Sequence, residues 1–123
     1  GNDILVGNSG SHVMTGGSGN DAFAFQSASD GPGIITDFNN ITEQDHIVIS
    51  ANGFGGGLTA GMDVTSLFES SADGQFSGFG AVFHFDTASN TLYFSADGTT
   101  ESAIAVATVQ SGATINPHDL IIV

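Results

Sequence analysis

The chain has no lysine, arginine, cysteine or tryptophan, and only two prolines. Each absence removes a class of function. A nucleic-acid binder neutralises phosphates with Lys and Arg and releases their counterions; this chain has neither. The same lack disfavours anionic membrane surfaces and phosphorylated ligands. Without cysteine there are no disulfides and no thiolate metal sites. No apolar run approaches the roughly 18 residues of a membrane span. The first residues show no secretory-signal pattern, and the first residue is not Met.

What is present is acidic and apolar. The 123 residues, one domain by default, include 13 Asp and Glu, for a formal charge of −13. Hydrophobic residues make up 40%, with 10 Phe, so the chain has the material for a core and is not compositionally disordered. Its carboxylates must be met by water, by hydrogen-bond donors or by a cation from solution. Their mutual repulsion otherwise opposes compaction. An extracellular divalent cation is the simplest remedy, and metal often stabilises small domains that lack disulfides.

The first 24 residues repeat in nines. Gly1-Asn2-Asp3-Ile4-Leu5-Val6 ends one unit, Gly7 to Thr15 (GNSGSHVMT) is the next, and Gly16 to Ala24 (GGSGNDAFA) is the third. Leu5, Met14 and Phe23 stand in the middle of three short apolar patches. The third unit fits GGxGxDxUx, the nonapeptide of calcium-binding parallel β-helices. Three apolar residues make a short strand with the middle side chain inward, and the six before them make a tight glycine-rich turn. Nine residues are then half a coil, so Asp3 and Asp21 fall on the same wall of neighbouring coils. Calcium takes six to eight hard oxygens from carboxylates and backbone carbonyls. Turns with almost no side chains free their carbonyls for an ion, and one Asp per turn completes the shell. On the opposite wall His12 replaces the expected Asp, with Asp30 as its partner in the next coil. Neutral imidazole is a poor calcium ligand, so this wall is expected to be weak or empty and His12 an exposed turn residue.

On these residues the chain resembles the C-terminal modules of RTX (haemolysin-type calcium-binding) proteins exported by type I secretion, such as serralysin-type proteases. The run NDILVGNSGSHVMTGGSGNDAFAFQSASD carries most of the resemblance. Ile35-Thr36-Asp37-Phe38 followed by Asp45-His46-Ile47-Val48-Ile49-Ser50 resembles the family's D-x-I-x-D-F … D-K-I-D-L-S segment, with Gly33 in place of the first Asp. Phe54 to Leu58, Thr91 to Gly98 and the ending Asn116 to Val123 also resemble family segments, in family order. The resemblance implies metal ligation by the carbonyls of Gly1, Gly16, Gly17, Ser18 and Gly19 with the carboxylates of Asp3 and Asp21, and Asp30 and Asp37 as candidates for closing the last site. It also implies further repeats before Gly1, a type I exporter as partner, secretion from the cell and an uncleaved C-terminal signal.

Beyond the repeats, residues 81–95 (AVFHFDTASNTLYFS) read as a hairpin, with turn chemistry at Thr87 to Asn90. Residues 46–49, 103–109 and 120–123 are further strands. Residues 53–61 are a glycine-rich loop, residues 65–69 one helical turn, and Asn116 with Pro117 the start of another. The expected fold is all-β: a short calcium-binding parallel β-roll (right-handed β-helix) over residues 1–30, then a mostly antiparallel β cap with the secretion-signal region over 31–123, packed together as a single domain. Such a cap covers the open end and the strand edges of a solenoid.

Catalysis finds little support. Gly16-Gly17-Ser18-Gly19-Asn20 fails the G-x-S-x-G elbow at its last place, and no H-E-x-x-H is present. His12, His46, His84 and His118 are scattered without ligand spacing, and no Lys or Arg exists to stabilise an oxyanion. The expectation is a non-catalytic, calcium-binding, extracellular module that folds on calcium binding. The alternatives are a building block of an extracellular layer, fibre or adhesin, assembling with copies of itself, or an accessory module of a larger secreted hydrolase or polysaccharide-modifying enzyme.

Overall fold

The computed structural model describes residues 2–7, 12–28, 32–77 and 81–123. The protein is mostly β, with little helix, and its strands form two sheets. The first five strands are Ile4–Gly7 (β1), His12–Met14 (β2), Ala22–Phe25 (β3), Gly33–Ile35 (β4) and His46–Ile49 (β5). They alternate between the sheets, the odd-numbered strands in one and the even-numbered in the other. After a helical turn, Ala51–Phe54 (α1), come Phe68–Ser71 (β6), Phe83–Asp86 (β7), Thr91–Phe94 (β8), Ile104–Val109 (β9) and Leu120–Ile122 (β10). The four-stranded sheet has the order β1-β3-β5-β10, and the six-stranded sheet the order β2-β4-β9-β8-β7-β6.

Side-chain alternation explains the register. Successive strand residues point to opposite faces, so parallel pairing stacks like on like. Leu5, Phe23, Ile47 and Leu120 align across the first sheet, and Phe25, Ile49 and Ile122 align beside them. Met14, Ile35 and Val109 form the corresponding row of the second sheet. Apart from Leu5, which packs against it half-buried on the outermost strand, these residues belong to one hydrophobic cluster. The residues between them, such as Ile4 and Val6, face outward.

The region after residue 30 differs from the expected mostly antiparallel cap. Among the described residues, antiparallel pairing is confined to β7–β8 and β8–β9, while β5–β10, β4–β9 and β6–β7 are parallel. The cause is continuity: β4 and β5 stack directly on β2 and β3, and the later strands β9 and β10 extend the same ladders. The 81–95 hairpin is present with Phe83 opposite Phe94, and Asn90 takes the left-handed turn position at φ 54°. Residues 65–69 differ from a single helical turn: a 3₁₀ turn spans Thr65–Leu67, and Phe68 and Glu69 already belong to β6. Phe54, expected in a loop, ends α1 and packs edge-on against Phe94, with ring centroids 5.2 Å apart.

Gly53 in α1 lies directly against the backbone carbonyl of Gln26, leaving no room for a Cβ. Backbone cannot yield as a side-chain tip does, so Gly53→Ala separates α1 from the loop after β3. Urea unfolding of Gly53→Ala will show a loss of about 2 kcal/mol or more, within the range for overpacked sites.

Candidate functional site

The turn from Thr15 to Asp21 leads from β2 into β3, and both glycine φ values and polar contacts shape it. Gly17 and Gly19 have φ of 83° and 106°, a backbone conformation that strains any L side chain. Its N–H groups point at side-chain oxygens. Gly16 and Gly17 donate to the two oxygens of Asp37 at 3.0 and 2.7 Å. Gly19 donates to Glu43 (3.0 Å), Asn20 to the Asn2 side chain (2.8 Å) and Asp21 to Asp45 (2.9 Å). Among the described residues, the carbonyls of Gly16, Gly17 and Gly19 accept no backbone hydrogen bond. An anion site requires free N–H groups; here those of Gly16, Gly17, Gly19, Asn20 and Asp21 are already taken up by side-chain oxygens.

Two side-chain ladders run past this turn along the start of the first sheet. In one, Asp3 N–H donates to Asp21 Oδ1 and Asp21 N–H to Asp45 Oδ1, both at 2.9 Å. In the other, Asn20 N–H donates to Asn2 Oδ1 (2.8 Å) and Gln44 N–H to Asn20 Oδ1 (2.9 Å). The two ladders run in opposite senses, so each rung both gives and receives. Asp21 is 1% exposed, and its second oxygen, Oδ2, is buried without a hydrogen-bond partner. That oxygen rests against the bare Cα of Gly16, in the space a Cβ would fill. A buried acceptor left unmatched is costly, and a carboxylate oxygen left so is suited to a metal ion.

The expected ligands are partly assembled. Asp3 and Asp21 lie on adjacent rungs, at the separation of 18 residues that the repeat implies. Gly16, Gly17, Gly19 and Asp37 meet at the turn, where Asp37 clamps the two glycine N–H groups. Ser18 lies exposed within the same turn. Gly1 and Asp30 lie outside the described residues. On the opposite wall the register corrects the pairing of His12 with Asp30: His12 stands opposite Gly33. The coil there spans 21 residues rather than 18, and the coil from β3 to β5 spans 24. The added residues sit in the connections and leave the strands in register. Among the described residues no three His, Cys, Asp or Glu side chains converge on one point, so a calcium ion here would take much of its shell from backbone carbonyls, as such ions do.

Asp45, Glu43, Asn2, Asn20 and Gln44 were not singled out as site residues from the sequence. A strict period of 18 passes over Glu43, Gln44 and Asp45, because the third rung is displaced by six residues, whereas Asn2 and Asn20 do stand 18 apart. The recurring dipeptides Asn2-Asp3, Asn20-Asp21 and Gln44-Asp45, each before an apolar strand, are the signal that finds them.

Burial pushes the Asp45 carboxyl above the usual range; N–H donors from Asp21 and Asn39 oppose this, and the charges of Asp21 and Glu43 add to it. Between the unfolded value and this raised one, the folded chain holds more protons than the unfolded chain. Asp45 therefore costs stability as pH rises through that window. In chelator, wild-type protein will lose stability relative to Asp45→Asn as pH rises from about 4 upward, read from urea midpoints at each pH. Parallel curves for the two proteins contradict this.

Comparison with protein-family models, with curated proteins and with solved structures finds no match for this chain, so its resemblance to RTX modules rests on its own residues.

Proposed function

We propose that the chain is a non-catalytic calcium-binding module of an extracellular protein. In this reading strands β1 to β5 form a short parallel β-roll, and the remaining strands cap it. The observation that carries the proposal is the buried, unpartnered Oδ2 of Asp21 beside Gly16. It lies in a column of three carboxylates within a chain that has no Lys or Arg. The carboxylates of Asp3 and Asp21, with the carbonyls of Gly16, Gly17, Ser18 and Gly19, would hold the ion. The ion supplies positive charge where the fold has gathered negative charge, and the chain's part is to orient oxygens and close the turns around it. Asp37 and Glu43 hold the turn open by occupying its N–H groups.

Such a module remains loose where calcium is scarce and folds where calcium is abundant, which suits passage through a type I exporter followed by folding outside the cell. A site with Kd of about 0.1 mM in roughly 10 mM calcium adds about 2.7 kcal/mol, a large share of a small domain's stability.

The thermal midpoint of the wild-type protein will rise with calcium and fall in chelator. Magnesium will do much less, because it demands a regular octahedron and keeps its waters. Calorimetric titration of Asp21→Asn will show calcium binding weakened by about tenfold or more, about 1.4 kcal/mol. A midpoint indifferent to calcium in the wild-type protein refutes the proposal.

A second reading, assembly into an extracellular layer or fibre, is favoured by the sheet edges. β1 and β2 are edge strands of the two sheets and carry Ile4 (76% exposed) and Val13 (70% exposed). Unpaired edges template further strands. Light scattering that shows calcium-dependent growth in mass supports it; an unchanged monomer at every calcium level removes it.

A further inference from the structure

Asp37 grips the glycine turn, and its own position is set from far along the chain. A trans peptide points its N–H and its C=O in opposite directions. The Gly17 N–H, held by Asp37 Oδ2 at 2.7 Å, therefore turns the Gly16 carbonyl away from Asp37. The Gly16 N–H, held by Oδ1 at 3.0 Å, does the same for the Thr15 carbonyl. The direction of the Gly16 carbonyl, one of the oxygens that would hold the ion, thus follows from where Asp37 stands.

Asp37 lies between β4 and β5, and its neighbours are fastened on both sides. Before it, Thr36 N–H donates to the Met14 carbonyl at 3.0 Å. After it, Asn39 N–H donates to Asp45 Oδ2 (2.9 Å), and the Asn39 carbonyl accepts from Asp45 N–H (3.1 Å). Between these ties Phe38 is buried, with its ring 6.4 Å from that of Phe23. Its main chain is clasped by a single side chain 72 residues on. Phe38 N–H donates to Gln110 Oε1 at 2.9 Å, and Gln110 Nε2 donates to the Phe38 carbonyl at 2.7 Å. A planar amide sets a donor and an acceptor side by side, which is what a residue's own N–H and C=O require. Glutamate has no donor, and methionine fills the same space with neither bond. Gln110 is itself anchored. It follows the last residue of β9, and its carbonyl accepts from Ala113 N–H (3.1 Å) and from the Asn90 side chain (3.2 Å).

We propose that Gln110 is a positioning residue for the calcium turn: by clasping Phe38 it seats Asp37 on the glycine N–H groups, and so aims the Gly16 carbonyl at the ion. The effect on affinity rests on the calcium reading, whereas the seating of Asp37 stands without it.

Calorimetric calcium titration of the wild-type protein, Gln110→Met, Asp37→Ala and the double variant tests the effect on affinity. Gln110→Met will bind calcium about tenfold or more weakly, as when a group that orients a metal ligand is removed. A residue that acts through Asp37 adds nothing once that carboxylate is gone, so the double variant will bind as Asp37→Ala does. Losses that multiply overturn the proposal, and so does wild-type affinity in Gln110→Met. Amide exchange in excess calcium reads the seating. The Gly16 and Gly17 amides will lose about tenfold of their protection in Gln110→Met. They will keep it in Val106→Ala, which opens the core on the same strand away from the clasp. Gln110→Glu, a gentler change that keeps the bond from Phe38 N–H, will shift both readouts in the same direction. Unchanged protection in the Gln110 variants, or an equal loss in Val106→Ala, overturns the proposal. A wild-type protein that takes up no calcium refutes the proposed function, and the exchange result then decides whether Gln110 seats Asp37.

Discussion

The structure depends on how negative charge is met without positive side chains. Thirteen acidic residues share one small chain with no Lys or Arg, and backbone N–H groups take the place of cations. At the turn before β3, Asp37, Glu43 and Asp45 each accept from backbone N–H groups of that turn. This choice fixes the polarity of everything nearby. With those donors spent on side-chain oxygens, the carbonyls of Gly16, Gly17 and Gly19 accept no backbone hydrogen bond among the described residues, and Asp21 Oδ2 is left buried and unmatched. Charge-assisted bonds to backbone N–H groups stabilise a carboxylate, yet leave the net charge where it was.

The same device recurs at smaller scale on the other sheet. Asp63, Asp73, Asp86 and Asp97 each accept the N–H of the residue two places on. Asp97 gathers hydroxyls from Thr99, Ser102 and Ser95 as well, and its carboxyl is held well below the usual range. These are local turns that satisfy themselves. The Asp3–Asp21–Asp45 column is different, because each of its bonds joins neighbouring coils and one buried oxygen is left over. Bonds within these turns hold the carboxyls of Asp63, Asp73 and Asp97 below the usual range, while burial pushes Asp45 toward its neutral form.

Packing and polarity enforce one register. A slip of one residue between β3 and β5 would turn Phe23 and Ile47 away from each other, and it would also break the Asp and Asn ladders. The coils lengthen from 18 to 21 to 24 residues without disturbing either, because loops lie at the surface and tolerate insertion. The strands are thus more regular than the spacing of their residues along the chain.

The sequence by itself determined the local physics: the glycines of the turn at 16–19, the inward side chains Leu5, Met14 and Phe23, and the 81–95 hairpin with its turn at Asn90. Short-range pattern decides these, since turn geometry and side-chain alternation act within a few residues. Only the tertiary structure decided that Asp45 and Glu43 join the site, that His12 faces Gly33, that β9 and β10 return to extend parallel ladders, and that Gln110 clasps Phe38. Those pairings join residues brought together by coil lengths and by long-range strand pairing. The free energy that selects them is the burial of the shared core, which no local window contains.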